Sequence, residues 1–261
     1  MEFHINKRSV SRFKLHCSFL EHSRVFNKPW EERSFDIFYQ MIAGLSDSEK
    51  MNLEISNMTA DDFNYLNCEK NMMTLEEDSR LFKEWKNSVE NIGANFSDIM
   101  RVLSALLLIG NIYIDRETEV EKVSKLLSIK KEVLIRGLTT RTQKIRGEVC
   151  TRKVDKRVFE SSKKSLAASL YTRTVNTLVK RINCLNPRNS LNYEKSPKPC
   201  SLFILDSFGL QRSDCGLEKL CMNLCTETLQ VRLLLVMRGR LWLIMVGEVL
   251  STFRVSGNIL W

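Results

Sequence analysis

The sequence predicts a predominantly helical α/β chain with a few strands, and three observations carry that expectation. Several segments place apolar residues at spacings of three and four, the period of an amphipathic helix. One short unbroken apolar run, Ser201-Leu202-Phe203-Ile204-Leu205, reads as a buried strand of a parallel sheet. At the other end of the chain Phe3 and Ile5 alternate with polar neighbours, which reads as a second strand.

Taken in order, Ser34–Gly44 has apolar residues at 35, 38, 41 and 42 and stops at Gly44, so it is expected to be helical. Helix-like pieces follow around Ser46–Met51, Ala60–Leu66 and Thr74–Val89. Phe96–Ile112 is the strongest core helix, because positions 99, 100, 102, 103 and 105–109 are all apolar and bury it on most sides. Glu119–Leu127 and Lys131–Leu138 read as two shorter helices. Thr140–Val149 is basic, with Gly147 as a turn, and a long helix is expected over Val158–Ile182, with Val175, Leu178, Val179 and Ile182 on one face. Asn183–Pro199 holds three of the four prolines and reads as a loop. After Asp206 a further helix is expected, with Leu217, Leu220, Cys221, Leu224 and Thr228 on one face and Asp214 as its cap. Val231–Trp261 is apolar, punctuated by arginine and without clear periodicity.

The 261 residues suffice for one large domain or two small ones. Only 10 glycines and 4 prolines exclude collagen-like and low-complexity classes. The formal charge of +9 is concentrated: Arg136–Arg181 holds 13 basic and three acidic residues, and the remainder holds 27 against 28. Such a stretch asks for a polyanionic partner without naming it. The first residues lack the apolar run of a signal peptide, and the apolar stretch Leu241–Gly247 is far below the roughly 20 residues of a membrane span. A soluble intracellular chain is expected. Eight cysteines without a CxxC pair point to reduced thiols rather than a zinc site. Cys221 and Cys225, one helical turn apart, read as core thiols, and Met72-Met73 as core filler. His16 and His22 have no carboxylate or cysteine partner that spacing supports.

One constellation carries chemistry. An apolar strand ending in Asp206, with Gly209 three residues later, suits a nucleotide site, where the carboxylate approaches Mg²⁺ and the glycine amide reaches a terminal phosphate. The bare pattern also arises in ordinary strand ends. No glycine is followed by another five positions on, so the phosphate loop GxxxxGK[ST] is absent, as is GxGxxG.

Wider blocks sharpen this. Glu32-Arg33-Ser34-Phe35-Asp36-Ile37-Phe38-Tyr39-Gln40-Met41-Ile42-Ala43-Gly44 closely resembles a segment of the myosin motor head. Leu103-Ser104-Ala105-Leu106-Leu107-Leu108-Ile109-Gly110-Asn111-Ile112 and Leu166-Ala167-Ala168-Ser169-Leu170-Tyr171 do so too, the latter continuing into Leu178-Val179-Lys180-Arg181-Ile182-Asn183. Phe203-Ile204-Leu205-Asp206-Ser207-Phe208-Gly209-Leu210-Gln211 resembles the family's switch II, and Leu217-Glu218-Lys219-Leu220-Cys221-Met222-Asn223 the start of its relay helix. The blocks keep the family's order over residues 1–230, and the chain is identified as a divergent, unconventional member.

The resemblance implies a partial P-loop NTPase fold, with 1–230 a piece of the motor domain and 231–261 a divergent tail. It implies that the phosphate loop and switch I precede the point where this sequence starts, and that converter and neck follow where the resemblance stops. Light chains are therefore not expected. It implies an actin-based, ATP-driven motor in the intact relative, with ATP and Mg²⁺ as cofactors and none bound by this chain alone. Residue by residue, Asp206 would sit near Mg²⁺ through water and Gly209 would offer its amide to the γ-phosphate. Gln211 stands where the family has the Glu that pairs with a switch I Arg, and a neutral amide loses that charged pair. Ser207 and Leu210 depart from the motif as well. Lys144, Arg146, Arg152 and Lys153 lie on or beside a loop that in the family faces actin. A solvated charged surface and a nucleic-acid contact compete with that reading; Phe159 and Tyr171 make no stacking-platform pattern. Filamentous actin is the expected partner, nucleic acid is not, and the expected location is the cytoplasmic cytoskeleton.

Overall fold

The apolar run at 99–109 becomes α4 (Phe96–Gly110), started by Asn95, whose side chain accepts from the Asp98 amide. Every residue from Leu103 to Gly110 is buried, so neighbours enclose the helix on all sides. The protein is described here from a computed structural model, which covers residues 1–6, 9–18, 21–28, 32–67, 74–113, 118–145, 148–185, 200–204, 206 and 217–245. The chain divides into two units, His22–Arg181 and a second made of Met1–Glu21 with Ile182–Trp261.

In the first unit, α1 (Asp36–Gly44) buries Phe38, Tyr39, Met41 and Ile42, as its spacing predicts. It packs against α3 (Leu75–Asn91), which Thr74 caps by accepting from the Glu77 amide. Between them α2 (Asp47–Asn52) opens on a capping box formed by Ser46 and Glu49. The segment 60–66, expected as helical, is a short 3₁₀ turn over Ala60–Asp62. Its neighbourhood is tied to the end of α4 instead. Asn64 Nδ2 donates to Gly110 O at 3.0 Å, and Asn111 Nδ2 to Asp62 O at 2.7 Å. α5 (Thr118–Leu127) covers α4 through Val120, Val123 and Leu126, and α6 (Lys131–Thr139) adds Leu134 and Leu138.

The long helix α7 (Lys156–Cys184) has a weakly segregated sequence, but four of its residues (Phe159, Lys163, Ala167 and Tyr171) form a buried stripe at i, i+4, i+8 and i+12. Tyr171 stacks on Phe35 with centroids 4.3 Å apart and meets Phe38 at 5.7 Å. Both Phe159 and Tyr171 are thus spent on the core. Lys163 is 3% exposed; its ammonium donates to Ile112 O at 2.7 Å, caps the carboxyl end of α4, and bridges to Glu160 at 3.1 Å. Gly93 ends α3 with φ +65, and Arg181 Nε donates to the adjacent Ile92 carbonyl.

In the other unit, β1 (Glu2–Asn6) is the centre of a three-stranded sheet ordered β2-β1-β5, with β2 (Ser9–Lys14) and β5 (Cys200–Phe203) both antiparallel to it. Here the parallel strand expected at Ser201–Leu205 is corrected. Continuous apolarity indicated a strand, but its direction is set by the neighbour it pairs with, and Phe203 and Ile204 remain 41% exposed. The register also brings His4 Nε2 to 2.9 Å and His16 Nε2 to 3.6 Å from Glu2, so His16 does find a carboxylate that linear spacing hid. Asn183 and Leu15 exchange two hydrogen bonds of 2.8 Å.

α8 (Leu217–Met245) starts where expected but runs far past 231, where no periodicity was visible. Leu217, Leu220, Leu224, Leu234 and Leu235 are exposed, and among the described residues of the helix Met222 and Thr226 are the buried pair; Cys221 is exposed and Cys225 half-buried rather than core thiols. The Met72-Met73 pair lies outside the described residues, as do the loop residues 186–199. Among the described residues no helix is long and apolar enough to cross a membrane.

Candidate functional site

The part of the basic stretch between α6 and α7 folds as a hairpin. β3 (Thr140–Ile145) follows α6 without a break, and β4 (Glu148–Lys153) returns to α7. Val154 N donates to Thr139 O at 2.9 Å and closes the base. Counting outward from the Ile145–Glu148 pair, the register sets Lys144 opposite Val149, Gln143 opposite Cys150, Thr142 opposite Thr151, Arg141 opposite Arg152 and Thr140 opposite Lys153.

Directly opposite residues in an antiparallel pair share a face, and successive residues alternate. Arg141 and Arg152 therefore stand side by side on one face with Gln143 and Cys150. Lys144 and Lys153 take positions on the other, where Thr142 and Thr151 are hydroxyl to hydroxyl at 3.3 Å. The four candidates from sequence are thus divided: Arg152 on one face, Lys144 and Lys153 on the other, and Arg146 outside the described residues. The structure adds Arg141. Arg173 of α7 is a further addition, since it and Arg141 line one open groove with Val158, Leu166 and Leu170. Pairing arithmetic from a turn at Gly147 would have found Arg141; nothing local pointed to Arg173.

Arg141, Arg152 and Lys153 are exposed, and among the described residues none of them makes an ion pair. Like charges directly opposite on a hairpin are destabilising by a few tenths of a kcal/mol. Arg24, by contrast, is held by Glu32 at 2.9 Å, and Arg33 by Asp78 at the same distance. Arg141, Arg152 and Lys153 keep their charge unpaired among the described residues.

The nucleotide constellation is not assembled by the described residues. β5 ends at Phe203, and Asp206 lies exposed just beyond it. Gly209 and Gln211 lie outside the described residues. Among those described, no group of three His, Cys, Asp or Glu side chains could hold a metal ion. Asp206 alone is not a fit for Mg²⁺ with a nucleotide.

With this geometry in hand, comparison with known proteins is decisive on one point. Residues 1–237 match the family model of the myosin head (motor domain). The chain belongs to the myosin head family. Unconventional myosin heavy chain 6 of Caenorhabditis elegans is 27% identical over 250 residues, covering 88% of this chain and 12% of that protein. Myosin IB heavy chain of Dictyostelium discoideum is 30% identical over 241 residues, covering 83% and 21% respectively. Chitin synthase 8 of Mycosarcoma maydis is 34% identical over 232 residues, covering 81% and 11%. This myosin-head chain therefore spans about a tenth to a fifth of these relatives. Its helical fold with few strands agrees with a portion of a P-loop NTPase head.

Proposed function

We propose that the chain works as part of the head of an actin-based motor, and that hairpin β3–β4 is where it meets the filament. The observation that carries this is the Arg141–Arg152 pair: two exposed arginines stand directly opposite each other, and neither makes an ion pair among the described residues. Left free, they are matched by an acidic surface that approaches from outside, at a strength that falls with salt. Filamentous actin is the polyanionic partner that the family suggests. Nucleic acid is disfavoured because the aromatic residues nearest the basic stretch, Phe159 and Tyr171, are only 3% and 8% exposed and offer no stacking surface.

We further infer a supporting rather than self-sufficient part in ATP hydrolysis. In a complete head Asp206 would face Mg²⁺ through water, Gly209 the γ-phosphate, and Gln211 the closing contact that the family makes with Glu. The sequence carries no GxxxxGK[ST] loop, and among the described residues no group of three His, Cys, Asp or Glu side chains could hold a metal ion. The location implied is the cytoplasmic actin cytoskeleton.

Co-sedimentation of the purified chain with actin filaments tests the filament reading. Pelleting at low salt that fades as salt rises supports it, and no pelleting at low salt overturns it. Release of phosphate from ATP by the chain alone, above background and stimulated by actin, would overturn the supporting role.

A further inference from the structure

The open groove beside α7 has a volume of about 650 Å³, within the size range of small-molecule sites. Arg141 lines it from β3 and Arg173 from α7, and Val158, Leu166 and Leu170 are half-buried along it. Among the described residues that line it none is acidic, and neither guanidinium makes an ion pair among the described residues. The groove therefore holds two exposed cations over a partly apolar floor.

Hydroxyls add to these donors. Four hydroxyls of α7 are turned back onto the helix: Ser162 donates to Val158 O at 2.9 Å, Thr172 to Ala168 O at 2.8 Å, Thr174 to Leu170 O at 2.9 Å and Thr177 to Arg173 O at 2.7 Å. Ser161, Ser165 and Ser169 differ. All three are exposed, line the groove and make no side-chain hydrogen bond to the protein among the described residues. With Arg173 they stand at i, i+4, i+8 and i+12 of α7, a row about 18 Å long at about 1.5 Å per residue.

We propose that this groove binds a ligand carrying several phosphate groups. A guanidinium presents a planar fork that matches two phosphate oxygens, and a neighbouring hydroxyl donates to the third. A donor row of about 18 Å outruns a single phosphate, so the match is to a chain or cluster of them. A carboxylate offers two oxygens, which one guanidinium already satisfies, and it leaves the serine row without acceptors. The half-buried floor of Val158, Leu166 and Leu170 keeps water from one side and strengthens each charge-assisted bond. The proposal does not rest on the filament reading, whose second arginine, Arg152, is not among the residues lining the groove.

Titration calorimetry of the full chain with inorganic tripolyphosphate tests it, with phosphatidylcholine vesicles carrying a bisphosphorylated inositol headgroup as a second arm. Saturable binding of one tripolyphosphate per chain is expected; binding in the vesicle arm alone would assign the phosphates to a lipid headgroup. Arg173→Gln is expected to weaken binding about tenfold, and Ser165→Ala with Ser169→Ala several-fold, both without loss of melting temperature. Arg152→Gln and Lys153→Gln, outside the groove, are expected to change it by less than about twofold. Binding in neither arm overturns the proposal. Equal weakening by Arg173→Gln and Arg152→Gln overturns it too, since that would mark a general attraction to the basic hairpin. Tighter binding of a glutamate decapeptide than of tripolyphosphate overturns it equally.

Discussion

Arg33 Nη2 donates to both carboxylate oxygens of Asp78, at 3.0 and 2.9 Å, across 45 residues of sequence. Asp78 is 1% exposed on α3, and the guanidinium lies 4.1 Å from the centre of the Tyr39 ring on α1. Tyr39 in turn donates to Leu66 O at 2.8 Å and accepts from Ser34 N. One ion pair thereby locks the approach of three segments. Asp78→Ala leaves the largely enclosed Arg33 charge with only the long 3.7 Å contact to Asp36, and is expected to destabilise the unit by about 3 kcal/mol. Arg33→Met with Asp78→Leu together is expected to recover most of that loss. Chemical denaturation of the two variants is the measurement; equal losses would show that apolar residues cannot replace the pair.

Gly44 at the end of α1 lies directly against Phe82 of α3. A Cβ there would sit 2.4 Å from the ring of Phe82, itself 1% exposed. Gly44→Ala is therefore expected to lower stability by about 1–3 kcal/mol through overpacking, despite alanine's better helix propensity. An unchanged midpoint in urea would show that the two helices can part at no cost.

Tyr65 is buried with its hydroxyl lacking a hydrogen-bond partner among the described residues, and burial pushes the phenol well above the usual tyrosine range, with the nearby Glu160 charge adding to the effect. A raised folded-state pKa contributes stability that is present below about pH 10 and is lost as pH rises beyond it. Tyr65→Phe removes an unsatisfied polar group, so it is expected to be neutral or to stabilise by about 1 kcal/mol at neutral pH. It should also flatten the alkaline loss. Thermal melts of both proteins between neutral and alkaline pH check the sign.

Glu49 gives the opposite slope. Its carboxylate accepts from the Ser46 amide at 2.9 Å, which is the main cause holding its pKa below the ordinary glutamate range, with Lys86 at 3.0 Å assisting. A lowered folded-state pKa contributes stability that is present above about pH 4.3 and is lost as pH falls through the folded value. Glu49→Gln is expected to cost little at acid pH and more at neutral pH, read from melting temperatures on either side of that window.

Reversing charge on the hairpin separates its two faces. Arg141→Glu or Arg152→Glu is expected to weaken filament co-sedimentation several-fold at low salt and to reduce its salt dependence, without a shift in melting temperature. Lys153→Glu, on the other face, is expected to do less. Equal effects from all three would mean that net charge and not the arginine face governs attachment.

Much of this molecule was legible in local pattern. Spacing at 35–42 and 99–109 placed α1 and α4 and their buried residues, because the identity of an amphipathic or fully apolar helix is written within its own few turns. The blocks that resemble the myosin head were legible in the same way, and they pointed to the chain's family. Charge counting located the basic stretch, though not its shape.

Tertiary structure decided what surfaces meet. Apolarity at Ser201–Leu205 announced a strand, but only pairing with β1 made it antiparallel and half-exposed. Periodicity of α8 announced an apolar face, but only packing showed that Met222 and Thr226 are covered while Leu217, Leu220, Leu224 and Cys221 are bare. Register brought Arg141 to Arg152, and His16 to Glu2, across distances no local spacing reports. A residue's own neighbours in sequence fix its backbone preference; which of its faces loses water depends on partners that arrive from far along the chain.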